Sequence, residues 1–465
     1  MTLSASPLPP PLYYRLLIKL LKPLYYFKIK YIGDKKDKSI SGHVLKDELN
    51  QRFGKIYPAL PQRQQIIWCH AVSLGETNTI APMIDELLTQ GFGVWLTNTT
   101  HTGYARSQIC FAHAIADGQL VHSYVPVDAP QVIKSFLQHV QPCLAMFVET
   151  ELWANTLYIL AQQQIPSVLV NARLSEKSWQ NYQKIAAVSH SMMQNISLII
   201  AQDNESAKRF RQLGAASHKI RRASSLKWSV NSVSSKLTQS DALFTQNITT
   251  KRPIWVAAST HAGEEAAVLK VQQQLLNQPQ LSHTLLVLVP RHPERFDEVA
   301  EMIEAFDFQY ARRSQQQSIT EQTQVYLADT MGELMRWYQM ADVAFVGGSM
   351  VDIGGHNPVE PASVATPIIM GKYTQSCDQI VAQLQAVDAL QQVGDNEDIA
   401  GLYKSLEFWL NDKMLAKQAG QNGYQLVCQH QDAMDKQLAM ICPLLPSLNI
   451  SKPTLATGDK TSDVL

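Results

Sequence analysis

Residues Gly347-Gly348-Ser349-Met350-Val351-Asp352-Ile353-Gly354-Gly355-His356-Asn357-Pro358-Val359-Glu360-Pro361 have the makings of a ligand loop that opens into a helix. Gly354 and Gly355 permit backbone angles that side chains forbid and let a ligand approach the main chain. Asn357 suits an N-cap, Pro358 the first helical position, and Glu360 the acid of a capping box. A helix start of this kind aims N–H groups at an anion. Glu360 is a poor phosphate ligand but a good acceptor for sugar hydroxyls. Phosphate on backbone and ribose on Glu360 would make a nucleotide-sugar site; a plain capped helix would use the same residues.

Other reactive side chains recur just after apolar runs. Ser73-Leu74-Gly75-Glu76 reads as a Ser-x-x-Glu capping box, yet Gly75 opens the backbone beside a carboxylate that could take a proton from a hydroxyl. Glu149 and Glu151, separated by one residue, stand where the apolar run at 144–150 ends. Glu149, nearer the strand, is expected to face the ligand, and the other acid to cap the next helix. Arg173 could pair with one of these acids. Lys227 is a mobile positive charge able to meet a departing phosphate. Two prolines bracket Arg291 and His292 in Pro290-Arg291-His292-Pro293, which fixes their direction as an anion site. Thr330-Met331-Gly332-Glu333 is another Thr-x-x-Glu box, where the backbone of Met331 and Gly332 could read a base edge. No second ligand at metal spacing accompanies His292, so no metal site is expected.

The elements that must hold these groups alternate. Apolar runs at 66–72, 93–99, 144–150, 167–173 and 198–202 are each followed by a helical stretch, and the pattern restarts at 254–260, 285–291, 325–329, 343–349 and 367–371. Strand, loop and helix in repetition predict parallel sheets covered on both faces, with ligands at the carboxyl ends of the strands. The expected fold is α/β, with two Rossmann-like domains and a ligand cleft. The Ser/Thr/Asn/Gln-rich stretch around 229–250 reads as a linker. The expected boundaries are therefore a segment at 1–40, a domain at 41–230, a linker at 231–252, a domain at 253–445 and a flexible tail at 446–465.

Bulk properties exclude several classes. With 40 Lys+Arg against 40 Asp+Glu, no basic field argues for nucleic acid. The scattered cysteines form no C-x-x-C pair, which favours reduced thiols. Neither a P-loop nor a G-x-G-x-x-G fingerprint occurs, against a P-loop NTPase or dinucleotide oxidoreductase. Residues 12–32, LYYRLLIKLLKPLYYFKIKYI, place Arg15, Lys19 and Lys22 on one helical stripe among leucines and aromatic rings. Their charges interrupt every apolar run long enough to span a bilayer, so the segment reads as lying on an anionic membrane surface. Pro23 is expected to break it in two.

In order, HAVSLGE, TNTTHTG, FVETELWAN, LVNARLSE, SLKW, AASTHAGEE, LVPRHPERF, DTMGEL and GGHNPVEPA resemble the Kdo (3-deoxy-D-manno-octulosonic acid) transferases of Gram-negative bacteria, across most of residues 40–380. The resemblance implies a GT-B fold and inverting transfer of Kdo from CMP-Kdo to a glucosamine of a lipid A precursor, at the cytoplasmic face of the inner membrane. It implies no cofactor and no metal. It puts Glu76 at the position of the proton acceptor, and Glu149 and Lys227 at positions that stabilise the transition state. Arg291 and His292, Met331, Gly332 and Glu333, and Asn357, Pro358, Val359 and Glu360 match the segments that hold CMP. The chain departs from the family pattern at Ala154, where Pro is usual, at Trp228-Ser229, where Phe-Asp is usual, and at His101, where Pro is usual. The alternatives are a GT-B transferase or epimerase that uses a uridine nucleotide sugar, and a non-catalytic nucleotide-binding membrane adaptor.

Overall fold

In the computed structural model every residue of β1 (Ile66–His70) is buried, as is every residue of β4 (Leu144–Val148) and β5 (Ser167–Ala172). Runs of this kind need cover on both faces, which helices flanking a parallel sheet provide. The structure describes residues 6–36, 42–63, 65–229 and 252–446, and the chain divides into two units. Most of the expected 231–252 linker and 446–465 tail lies outside the described residues.

Unit 1 takes the described residues up to Leu226 and those from Asp432. Its strands are β1, β2 (Gly93–Asn98), β3 (Leu120–Tyr124), β4, β5, β6 (Leu198–Ala201) and β7 (Ile220–Arg222). They pair in parallel in the order β3-β2-β1-β4-β5-β6-β7. The chain builds outward from β1 to β3, then returns to β1's other side at β4. That reversal opens a crevice at the carboxyl ends of β1 and β4, the usual ligand position in such sheets. Trp68 anchors the core, its ring 4.7 Å from that of Phe136 and 5.4 Å from Phe147. Its indole N–H donates to Thr97 Oγ1 at 3.0 Å, so a large ring is buried without an orphaned donor.

Helix α1 (Leu12–Lys36) runs through Pro23 without interruption, which overturns the expected break. Pro23 is exposed, so the carbonyl it leaves without an N–H can be hydrated. The helix is also held on either side of Pro23. Tyr14 Oη donates to Asp128 at 2.7 Å, and the Tyr25 and Tyr26 rings lie 6.2 and 5.1 Å from that of Phe53 in the segment after helix α2 (Gly42–Arg52). The expected basic stripe is split: Arg15 and Lys19 are exposed, while Lys22 is half-buried against the unit.

Unit 2 spans Lys227–Gln431. Its strands are β8 (Ile254–Thr260), β9 (Leu285–Pro290), β10 (Tyr310–Arg312), β11 (Val325–Leu327), β12 (Val343–Val346), β13 (Ile368–Met370) and β14 (Leu390–Gln392). They too are parallel, in the order β10-β11-β9-β8-β12-β13-β14, with the reversal between β8 and β12. The partition differs from the expected boundaries at two places. The helix Ala433–Ile441 sorts with unit 1, because buried Gln437 accepts from Asn171 N at 3.0 Å and donates to Ser224 O at 3.0 Å. Lys227 and Trp228 sort with unit 2, where Trp228 stacks on His430 with ring centres 4.7 Å apart.

Candidate functional site

Glu76 and Glu149 follow the two strands of the unit 1 switch point, β1 and β4. Glu76 sits in the first turn of helix α3 (Leu74–Thr89), whose N-cap is Ser73. Ser73 Oγ accepts from Glu76 N at 3.5 Å, half of the expected capping box. The other half reaches one residue further back than the motif prescribes: Glu76 Oε2 accepts from Val72 N at 2.6 Å. A short charge-assisted bond of this kind fixes the carboxylate's direction. Gly75 is exposed, and a Cβ there would meet only Ser73 Oγ, at 3.9 Å. Packing therefore does not demand a glycine there, but approach of a ligand to the half-buried Glu76 would.

Glu149 has φ +59°, a left-handed backbone that a glutamate adopts at a cost of about 1–3 kcal/mol. Its N–H still donates to Val170 O at 3.0 Å, so the sheet continues to the point where the chain turns. The expected capping of the next helix by its neighbouring acid is not what the structure shows. Helix Ala154–Gln162 is capped from a distance by Asp128, which accepts from Asn155 N at 3.2 Å and from Thr156 N and Oγ1 at 2.8 and 2.7 Å. Glu151 is instead half-buried, and burial raises its carboxyl above the ordinary range. Asn171, the residue before the end of β5, is also left-handed at φ +50°, and its Oδ1 accepts from Leu226 N at 2.9 Å.

In unit 2 the switch-point strands β8 and β12 carry a histidine cluster and the glycine loop. Arg291 N donates to Thr260 O at 3.0 Å, which seats it beside the end of β8. His261 and His356 stack with ring centres 5.1 Å apart and share a 2.8 Å contact between their Nε2 atoms. One ring must donate and the other accept, so the pair cannot be doubly protonated with that contact intact. Burial lowers His261 to about 4, with His292 and Arg291 adding to it, and lowers His356 to about 3, with Arg291 adding. The His292 ring meets His261 edge-on at 5.1 Å. Burial raises Glu360 to about 7, partly offset by Arg291. Arg291, His292 and Glu360, chosen from sequence, thus share one neighbourhood with His261 and His356. Lys227 joins the glycine loop: its Nζ donates to Ser376 O at 2.9 Å, and Ser376 N donates to Gly354 O at 2.9 Å.

The expected helix start is different in detail. The helix is a single turn, Val359–Ala362, and its N-cap position is Pro358 rather than Asn357. Asn357 Oδ1 accepts from Val359 N, two residues on, at 3.2 Å; this side-chain turn delays helix entry by one residue. Nor do the first amides of the loop face outward. Buried Glu264 accepts from Gly348 N at 2.8 Å, Ser349 N at 3.0 Å, Met350 N at 2.9 Å and His261 N at 2.9 Å. The protein's own carboxylate fills the anion nest. Sequence reasoning gave Glu264 no role, although Thr-His-Ala-Gly-Glu-Glu after a strand carried a signal: Gly263 takes φ +95° to start the helix Glu264–Leu276.

Thr330 and Glu333 also depart from the expected capping box. Helix Leu334–Met340 begins after Glu333 with no side-chain cap, because Arg313 claims the Glu333 carboxylate with a fork of 2.9 and 2.8 Å. Met331 is 61% exposed, and Gly332 has φ +89° with open space where a Cβ would stand. Among the described residues no three His, Cys, Asp or Glu side chains gather as a metal site would require.

The fold resembles that of UDP-GlcNAc 2-epimerase from Neisseria meningitidis, with a TM-score of 0.52 over 82% of this chain and 100% of that one. At 12% identity this is a likeness of fold alone. Residues 303–426 match the family model of group 1 glycosyl transferases, and residues 47–230 match that of 3-deoxy-D-manno-octulosonic-acid transferase (kdotransferase). The protein is a glycosyltransferase of the GT-B class. It is 38% identical to the 3-deoxy-D-manno-octulosonic acid transferase of Haemophilus influenzae over 88% of this chain and 93% of that protein. It is 36% identical to the Bordetella pertussis enzyme over 70% and 75%. The chain belongs to the 3-deoxy-D-manno-octulosonic acid transferase family.

Proposed function

We propose that this enzyme transfers Kdo from CMP-Kdo to a glucosamine hydroxyl of a lipid A precursor, with inversion at the anomeric carbon. The observation that carries this reading is the 38% identity to a Kdo transferase along nearly the full length of both chains. Unit 1 presents Glu76, which takes the proton of the acceptor hydroxyl. That oxygen bonds to the anomeric carbon of Kdo as the bond to phosphate breaks, and CMP departs with the electron pair. Glu149 and Lys227 stabilise the charge that develops in between. Arg291 and His292 meet the phosphate. The backbone of the turn at Met331 and Gly332, which Glu333 closes, holds the base, and Asn357 to Glu360 hold the ribose. The scheme uses no metal and no cofactor, since fixed cationic side chains meet the leaving phosphate.

The acceptor is a lipid, so the enzyme works at a membrane surface, on this reading the cytoplasmic face of the inner membrane. Helix α1 supports this. Leu12, Leu16, Leu20, Leu24, Phe27 and Tyr31 form an outward stripe at helical spacing, each more than half exposed. Arg15, Lys19 and Lys30 are exposed beside it, suited to anionic headgroups. Among the described residues no helix is long and apolar enough to cross a membrane. Thermal shift with CMP, UMP and UDP tests the donor: CMP should raise the melting temperature most. A larger shift with UDP would favour a uridine nucleotide sugar instead.

A further inference from the structure

The end of β10 is tied by charged bonds to the loop after β11 and to the helix Phe296–Ala305. Arg312 Nε donates to Asp329 at 2.5 Å and Arg312 Nη2 to Asp297 at 2.6 Å. Asp329 is buried and also accepts from Ser314 N at 2.7 Å and Ser314 Oγ at 2.5 Å. Next along the chain, Arg313 forks onto Glu333, with Nε to Oε2 at 2.9 Å and Nη2 to Oε1 at 2.8 Å. Thr330 Oγ1 adds a bond to Oε2, and Arg336 Nη1 reaches Oε1 at 3.3 Å. A carboxylate offers about four acceptor positions. Those of Glu333 are met by Arg313 twice, Thr330 and Arg336, so its carboxylate is a brace rather than a ligand group.

That brace shapes a cavity of about 580 Å³, lined on one side by Arg313, Ser314 and Gln316 to Ser318 and on the other by Thr330, Met331 and Glu333. The volume falls in the range of about 300–1,000 Å³ typical of small-molecule sites. Met331 belongs to that lining, and Gly332 beside it has no neighbour within 4 Å of where a Cβ would stand. We propose that Arg313 is a positioning residue for the donor's pyrimidine base: by locking Glu333 it holds the Thr330–Glu333 turn open, so that the base enters this cavity and is read by the backbone there. This rests on the CMP-Kdo reading above and adds to it a residue and a wall, Arg313, Ser314 and Gln316 to Ser318, that the family resemblance did not assign. It also changes the role of Glu333 from ligand contact to support.

The test is calorimetry of the full chain with CMP and with ribose 5-phosphate, which has the sugar and phosphate but no base. Arg313→Lys keeps the charge and loses the fork, and Arg313→Met loses both. Arg313→Met should weaken CMP roughly tenfold or more and Arg313→Lys about threefold, with ribose 5-phosphate changed less than about twofold. In turnover, KM for the donor should rise while kcat stays within about threefold. The reversed pair Arg313→Glu/Glu333→Arg should recover CMP affinity, and it carries the test if Arg313→Met fails to fold. Equal weakening of both ligands by Arg313→Lys, no weakening of CMP by it, or a reversed pair that fails to recover CMP affinity would overturn the inference. Absence of CMP binding by the unaltered chain would instead bring down the donor assignment itself.

Discussion

Glu76 is a structural cap and the proposed base at once, and the two roles can be separated. Gln at this position keeps an acceptor for Val72 N but cannot take a proton. Glu76→Gln should lower kcat by roughly 10²–10⁴-fold and leave CMP affinity within about twofold; turnover near that of the unaltered enzyme would remove Glu76 as base. Glu264 makes the opposite prediction. Its carboxylate serves four backbone N–H groups, and Ala would orphan all of them in a buried loop. Glu264→Ala should destabilise the protein by at least about 3 kcal/mol in urea unfolding, since each buried unsatisfied group costs about 1–3 kcal/mol. A midpoint shift worth less than about 1 kcal/mol would mean that the loop finds other partners. Types and spacing alone singled out Arg291, His292 and Glu360, because proline brackets and a glycine loop leave local signatures. The same reading passed over Glu264 and Asp128. Each acts on backbone far away in sequence, Glu264 on Gly348 and Asp128 on Asn155, and no local pattern records such a partner.

At the scale of elements, helix α1 depends on a few anchors. Tyr14→Phe removes the bond to Asp128 and should cost about 1–3 kcal/mol, because the half-buried carboxylate is left one donor short; an unchanged melting temperature would show that Tyr14 does not hold the helix. Replacing Leu16 and Leu20 with Glu should instead leave stability nearly unaltered and lower pelleting with anionic liposomes. Equal pelleting would contradict the membrane role of the stripe. The strands were legible to different degrees. Runs such as Leu285–Pro290 are apolar end to end and stand out. β3, with His122 and Ser123 inside the sheet, and the three-residue strands β7, β10 and β14 do not. Their places follow from pairing with neighbours, which periodicity cannot carry. Pro23 shows the converse: a strong local rule lost to tertiary anchors on either side.

For the molecule as a whole, pH dependence should be governed by buried imidazoles. Burial lowers His70 and His122 to about 3 in unit 1, and His261 and His356 to about 4 and 3 in unit 2. Unfolded histidine titrates near 6.5, so between about pH 4 and 6.5 the unfolded chain binds more protons than the folded one. Stability should therefore rise with pH across that window. Glu360 acts the other way, because its raised carboxyl favours the folded state at low pH and loses that advantage as pH climbs from about 4.5 through 7. Melting temperatures should climb from pH 4.5 to 6.5, less steeply in His261→Asn; a flat or falling profile would contradict this account. The two-unit plan was readable from the restart of strand and helix at residue 254, but the return of Ala433–Ile441 to unit 1 was not. That helix is tied there by Leu438 and Ile441, which join the apolar cluster of Ile80 and Ile84, and by Gln437, whose partners lie more than two hundred positions away.

The central claim is best met by incubating the purified enzyme with CMP-Kdo and a lipid A precursor and weighing the lipid by mass spectrometry. The account predicts lipid heavier by one or more octulosonic acid residues, with CMP released in step and no gain in the Glu76→Gln enzyme. Unmodified lipid beside intact CMP-Kdo, from an enzyme that still binds CMP, would contradict it.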